Sequence, residues 1–173
     1  MIGPAPRILI DGRSGSGKTE LARALVSAWP EAQLVRLDAL YPGWDGLEAG
    51  SAAVPQVLTE HRWREWDWVR SKPGGWRELD PAHPVIVEGV AALSRASRPL
   101  ADLAVWVEFA DDAERKRRAL ARTHDGDYAA NWERWAAQEE AFLARERPRE
   151  LADLIDDGTD AAAGAARILA ALR

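Results

Sequence analysis

The chain contains no cysteine and only three scattered histidines in 173 residues. That excludes a disulfide scaffold, a cysteine-ligated zinc site and thiol catalysis, and it leaves little with which to build a histidine-rich metal centre. No stretch approaches the ~18 apolar residues of a membrane span. The opening Met1-Ile2-Gly3-Pro4-Ala5-Pro6 lacks the basic flank and apolar run of a secretory signal. An excess of positive charge is missing too. The formal net charge is −5, which argues against general nucleic-acid binding. These absences together describe a cytoplasmic globular protein with no membrane or nucleic-acid partner. A dimer is compatible with the composition, but nothing in the residues requires one.

Hydrophobic residues make up 47% and charged residues 29%, the balance of a folded chain with a sizeable core. No repeat, linker or low-complexity boundary interrupts it, so residues 1–173 read as one domain. Nine residues are tryptophan, and five of them (Trp44, Trp63, Trp66, Trp68 and Trp76) fall in one short region.

The most informative stretch is Gly12-Arg13-Ser14-Gly15-Ser16-Gly17-Lys18-Thr19. It fits G-x-x-x-x-G-K-[ST], the phosphate-binding Walker A loop. Glycines let backbone N–H groups turn inward around phosphate oxygens, and the start of the next helix adds partial positive charge. In that pattern Gly12, Ser14, Gly15, Ser16, Gly17, Lys18 and Thr19 would contact nucleotide phosphates, with Lys18 as mobile cation and the Thr19 hydroxyl on Mg²⁺. The context agrees. Arg7–Asp11 reads as a buried strand, and Leu21, Ala22, Leu25, Ala28 and Trp29 form a helical stripe that Pro30 ends.

Further apolar runs predict strands at Gln33–Leu37, Pro84–Glu88, Leu103–Phe109 and Ala152–Asp156. Helical patterns lie at Lys18–Trp29, Ser51–Arg70, Val90–Ser97, Asp112–Thr123, Tyr128–Arg145 and Asp160–Leu172. Such alternation predicts an α/β three-layer sandwich, a five-stranded parallel sheet with helices on both faces. Tyr128, Trp132, Trp135 and Phe142 recur at helical spacing, as a core-facing stripe would.

Ligands of parallel sheets sit beyond the carboxyl ends of the strands. Glu88 closes the third strand in Val85-Ile86-Val87-Glu88-Gly89, where a carboxylate could stand near Thr19 around Mg²⁺. Asp38 closes the second and opens a Pro- and Gly-rich turn. It could orient an acceptor hydroxyl or take its proton. For Asp11 and Asp156, at the ends of the first and fifth strands, a structural role is expected. Arg115, Arg118 and Arg122 share a helix face, and guanidinium groups could stabilise a transferring phosphoryl group. The residues 111–146 then suggest lid helices, with His124-Asp125-Gly126-Asp127 as their flexible joint.

With these motifs in order along most of its length, the chain resembles the uridine kinase-like group of P-loop small-molecule kinases. Ile10–Thr19, Asp38-Ala39-Leu40-Tyr41, Val85–Gly89 and Arg115–Arg122 carry the likeness. The resemblance implies ATP and Mg²⁺ as cofactors, Lys18 on phosphates, Thr19 and Glu88 around the metal, and Asp38 as base near the acceptor hydroxyl, close enough to count among the metal residues. It implies lid arginines at Arg115, Arg118 and Arg122, and it places Lys18, Asp38 and Arg118 at the chemistry.

Two departures stand out. The region 39–80, the expected acceptor-binding insert, is shorter than in uridine kinases. Trp66-Asp67-Trp68-Val69 looks like the family's Tyr-Asp-Phe segment, yet Arg70 and Ser71 stand where a base-reading histidine belongs. The pocket is therefore remodelled, with Asp38, Tyr41, Arg62, Arg64 and Asp67 as candidate acceptor contacts. The clustered tryptophans either stack on the acceptor or staple the segment to the core. The expectation is an ATP-dependent kinase acting on a hydroxyl of a small molecule, with nucleoside-like compounds among the candidates. A nucleoside monophosphate kinase using Arg62 or Arg64 is an alternative. An ATP-binding regulatory module or slow NTPase is an alternative of another class.

Overall fold

The computed structural model describes residues 5–121 and 128–173. The chain runs β1 (Arg7–Gly12), α1 (Lys18–Ala28), β2 (Gln33–Arg36), α2 (Leu47–Glu60), β3 (Arg62–Asp67), β4 (Lys72–Glu78) and β5 (Val85–Glu88). It continues through β6 (Leu103–Val107), α3 (Asp112–Leu120), α4 (Tyr128–Glu146), α5 (Pro148–Leu151), β7 (Leu154–Asp156) and α6 (Ala161–Ala171). Five strands form a parallel sheet in the order β2-β5-β1-β6-β7, while β3 and β4 form a separate antiparallel hairpin. Ile8 pairs with Ile86 on one side and Leu103 on the other, so β1 is the central strand.

Strand alternation sorts the core into two halves. Ile8 and Ile10 turn to one face, where Leu21 and Leu25 of α1 and Ile168 of α6 cover them. Leu9 turns to the other, toward Val54, Val57 and Leu58 of α2 and Trp132, Trp135 and Phe142 of α4. Both faces are covered, which is why β1, β5 and β6 read as unbroken apolar runs. The Asp111 carboxylate accepts from Glu114 N at 2.9 Å and that of Asp160 from Ala163 N at 3.0 Å, so capping starts α3 and α6. Among the described residues, no helix is long and apolar enough to cross a membrane.

Two elements differ from the sequence reading. The expected helix Ser51–Arg70 ends at Glu60, with His61 in the left-handed conformation, φ 54°. Residues 62–78 are the hairpin, paired Arg62↔Glu78 and Arg64↔Trp76 with an irregularity between Arg64 and Trp66. Trp63, half-buried among charged neighbours, follows a period of two rather than 3.6. The expected helix Val90–Ser97 is a series of turns, with a single 3₁₀ turn at Arg98–Leu100. Buried Asp11 explains this, because its carboxylate accepts from Ala91 N at 3.0 Å and Leu93 N at 2.9 Å. Those N–H groups serve β1 in place of a helix ladder.

Candidate active site

The loop Gly12–Thr19 leaves the carboxyl end of the central strand, where neighbouring connections run to opposite sides of the sheet. Its backbone requires glycine at two points. Gly15 has φ +81° and Gly17 φ +101°. A Cβ at Gly15 would lie 2.1 Å from the Arg115 carbonyl oxygen, and one at Gly17 would lie 2.9 Å from that of Gly158. Lys18 Nζ reaches back across the loop to the Arg13 carbonyl at 3.3 Å. The Lys18 side chain thus spans the concave side that a phosphate would enter.

Behind Thr19 runs a line of four residues. Thr19 Oγ1 donates to Glu88 Oε1 at 3.4 Å, Arg36 Nε donates to the same oxygen at 2.9 Å, and Arg36 Nη2 donates to Asp38 Oδ2 at 3.0 Å. Glu88 is buried, whereas 57% of the Asp38 side chain is exposed. The line joins the phosphate loop to an accessible carboxylate at the mouth of the sheet. It also separates two expected metal residues, since a guanidinium stands between Glu88 and Asp38. Thr19 and Glu88 are adjacent, while Asp38 stands on the far side of that guanidinium. Sequence reasoning missed Arg36, though its position two residues before Asp38 on a strand end was a usable signal.

The outer half of the loop is held by two helices. Glu139, buried on α4, accepts from Ser14 N at 3.1 Å, from the Ser14 hydroxyl and from Arg13 Nε at 3.4 Å. Trp135 Nε1 donates to Ser14 Oγ at 3.2 Å. On α3, Arg115 Nη1 donates to the Ser14 carbonyl at 2.8 Å and Arg115 Nε to Asp112 Oδ1 at 2.8 Å. The Arg115 guanidinium holds the Asp112 carboxyl below the usual carboxylate range.

Ser14 and Arg115, both expected on phosphate, brace the loop in this structure. The remaining loop hydroxyl, Ser16 Oγ, is buried without a partner among the described residues. Glu139 was also missed. Its signal was an acid inside the apolar stripe Trp132, Trp135, Phe142, a position that requires a partner.

Arg118 lies over the Phe109 ring, 4.6 Å from its centroid, and its Nη1 is buried without a hydrogen-bond partner among the described residues. Arg122 and the segment His124-Asp125-Gly126-Asp127 lie outside the described residues. Beside the loop opens a cleft of about 570 Å³, lined by Arg13, Ser16, Phe109, Arg115, Ile155 and Asp157 among others.

The candidate acceptor contacts are distributed unevenly. Tyr41 is buried and donates to the Val90 carbonyl at 2.7 Å, and burial pushes its hydroxyl pKa well up. It packs against Trp135 at 4.8 Å between centroids. Arg62 and Arg64 are on the exposed face of the hairpin, opposite the half-buried Trp63. Arg62 covers Trp76 and pairs with Glu60, and Arg64 donates to the Gly74 carbonyl at 3.0 Å. Asp67 is tied to Arg70, whose N–H, followed by its charge, lowers the Asp67 pKa. None of these three is bonded to the Asp38 line. Trp68 is: its indole N–H donates to the Asp38 carbonyl at 2.8 Å.

A glycine-rich loop closing the central parallel strand, followed by Lys-Thr at a helix start, is the arrangement of a P-loop nucleotide-binding fold. Comparison with solved structures agrees. A possible uridine kinase from Bacillus stearothermophilus superposes with a TM-score of 0.60 at 18% identity, covering 91% of both chains. Shikimate kinase from Acinetobacter baumannii, in complex with shikimate, gives 0.56 at 17%, covering 97% of this chain and 93% of that one. A gluconokinase from Sinorhizobium meliloti 1021 gives 0.54 at 20%, covering 96% and 95%. No family model and no curated protein sequence matches the chain, so the likeness is one of fold.

Proposed function

We propose that the protein is an ATP-dependent kinase that transfers the γ-phosphoryl group to a hydroxyl of a small molecule. The observation that carries this reading is the Thr19–Glu88–Arg36–Asp38 line, which links a phosphate loop to an exposed carboxylate. In the reaction the acceptor oxygen forms a bond to the γ-phosphorus as the bond to the β–γ bridging oxygen breaks, and ADP leaves. Asp38 accepts the hydroxyl proton or orients the hydroxyl for in-line attack. Lys18 and Arg118, whose Nη1 has no partner among the described residues, hold negative charge on the phosphoryl oxygens.

Among the described residues, no group of three or more acids and histidines could hold a metal ion by itself. The Thr19 hydroxyl and Glu88 carboxylate fit a cation that keeps most of its waters and shares phosphate oxygens, as Mg²⁺ does. When bound, Mg²⁺ would neutralise charge developing on the phosphates. The cleft beside Phe109 and Ile155 would take the nucleotide base. The neighbours, described as kinases of uridine, shikimate and gluconate, support phosphoryl transfer to small molecules. The position of Arg62 and Arg64 on the outer hairpin face speaks against their holding an acceptor phosphate, as a nucleoside monophosphate kinase would require.

The test is ADP release from Mg-ATP across nucleosides, nucleoside monophosphates, sugars and small alcohols. Acceptor-stimulated release that falls about 10³-fold in Lys18→Ala supports the reading. ATP bound by wild type but turned over equally with and without every acceptor would instead mark a slow NTPase or nucleotide-binding module.

A further inference from the structure

We infer that Arg36 is a positioning residue for the transfer: its guanidinium, anchored on buried Glu88, holds the Asp38 carboxylate in the orientation that serves the acceptor hydroxyl. This rests on the kinase reading above and adds a residue to it.

The sheet register makes the first half of the arrangement. Arg36 ends β2 and Glu88 ends β5, and the two stand opposite each other in the parallel ladder. Neighbours in register on one face of a sheet meet through their side chains, and here Arg36 Nε donates to Glu88 Oε1 at 2.9 Å. Glu88 is 2% exposed, so this end of the contact is fixed by the core. The second half lies two residues on. Asp38 sits in the 3₁₀ turn Leu37–Ala39. The backbone there is pinned by Leu40 N, which donates to the Leu37 carbonyl at 2.8 Å, and by Trp68 Nε1, which donates to the Asp38 carbonyl at 2.8 Å.

These backbone bonds leave the side chain undetermined. The Asp38 side chain is 57% exposed, and a carboxylate at that exposure turns about both of its side-chain bonds unless something stops it. Arg36 Nη2 supplies the stop, donating to Asp38 Oδ2 at 3.0 Å. Nε and Nη2 belong to one rigid plane, so the direction of the bond to Asp38 follows from the direction of the bond to Glu88. Among the described residues the Asp38 carboxylate is bonded through Oδ2, which leaves Oδ1 to receive a hydroxyl. Holding a reacting group in place matters, because a displacement of about 1 Å costs about 10²-fold in rate. A lysine at position 36 would keep the charge and lose the plane, since its ammonium rides on a flexible stem.

The experiment is a double-mutant cycle on the full chain. Wild type, Arg36→Lys, Asp38→Asn and the double variant are assayed for ADP release with whichever nucleoside, sugar or small alcohol stimulates wild type most. Mg-ADP affinity is measured on each by calorimetry, and thermal midpoints are recorded. Arg36→Gln carries the same cycle if the lysine variant melts early. Arg36→Lys should lower kcat by about ten-fold or more when Asp38 is present, and by less than about two-fold in the Asp38→Asn background. Arg36→Gln, which loses the charge as well as the plane, should cost at least as much. Mg-ADP affinity of Arg36→Lys should stay within about two-fold of wild type, because the effect runs through Asp38 and not through the phosphates.

Losses that multiply in the double variant overturn the inference and leave the kinase reading standing, because Arg36 would then act on something other than Asp38. So does a kcat unmoved by either Arg36 substitution when melting matches wild type. A fall in Mg-ADP affinity as large as the fall in kcat does the same, since it would place Arg36 with the nucleotide phosphates. Absence of stimulation by any acceptor overturns both.

Discussion

Removing the Glu139 carboxylate should loosen the phosphate loop from the helix that holds it. The carboxylate is 1% exposed and accepts from Ser14 N, Ser14 Oγ and Arg13 Nε. Hydrogen bonds to a charged group are worth about 1.5–3 kcal/mol each. The two to Ser14 are fully buried, whereas Arg13 retains 22% side-chain exposure and also pairs with Glu140, so it can rehydrate. Against the loss stands the desolvation cost that a buried carboxylate no longer incurs, itself several kcal/mol. The balance for Glu139→Ala is a destabilisation of about 2–3 kcal/mol, or about 5–10 °C in melting midpoint for a chain this long.

Glu139→Gln keeps an oxygen for Ser14 and loses the charge opposite Arg13, so it should cost about 1 kcal/mol. The assay is urea unfolding at constant m-value, with ATP KM measured in parallel. Lys18 Nζ rests on the Arg13 carbonyl, one residue from Ser14, so a loosened loop should raise ATP KM in Glu139→Ala more than in Glu139→Gln. Wild-type stability in Glu139→Ala, or equal losses in the two variants, would refute the claim that this carboxylate clamps the loop.

Asp38→Asn should lower kcat by about 10²–10⁴-fold with little change in ATP KM, and equal effects on both would remove Asp38 from the acceptor side. Gly15→Ala should destabilise by about 2 kcal/mol or more and weaken nucleotide binding, because its Cβ would meet the Arg115 carbonyl at a left-handed φ. Asp11 supplies a pH dependence. Burial pushes its pKa up to about 7, against the opposing pull of three backbone N–H groups and Lys18. The folded state therefore binds the proton more tightly than the unfolded one, and this contribution to stability is complete below about pH 4 and lost as pH rises through about 7. Three pH units correspond to on the order of 4 kcal/mol at most. Chemical unfolding of wild type should fall across that window, and the fall should be smaller in Asp11→Asn.

The parts of this molecule legible in its sequence are those where one physical demand fixes residue type. Ile8, Leu9 and Ile10 are apolar on both faces because helices cover both faces of the sheet. Gly15 and Gly17 are where the backbone is left-handed and another carbonyl approaches closely. The hairpin was not legible, because Arg62–Asp67 carries tryptophans at spacings that also suit a helix and, among the described residues, its strands pair only with each other. Arg36, Glu139 and the Trp68 indole were hidden for a different reason. Each acts through a partner distant in sequence: Glu88 is 52 residues from Arg36, Ser14 is 125 from Glu139, and Asp38 is 30 from Trp68.

The helix α4, expected as part of a lid, is bonded to both sides of the site. Besides Ser14, it holds the turn that follows Asp38: Gln138 Nε2 donates to the Trp44 carbonyl at 2.6 Å, and Leu47 N donates to Gln138 Oε1 at 3.3 Å. Arg134 pairs with Asp45, lowering the pKa of that carboxyl, and Arg145 pairs with Glu48 at 2.5 Å. A rigid swing of α4 would break the buried Glu139–Ser14 bonds together with these, so the helix joins the phosphate loop to the turn that follows Asp38. Buried Trp132 and Trp135 belong to that packing. Coupling of this kind has a measurable consequence. Gln138→Ala touches neither the phosphate loop nor Asp38, yet by freeing the acceptor turn from α4 it should raise acceptor KM while ATP KM stays near wild type. If the helix were instead a lid closing on nucleotide, the larger change would appear in ATP KM.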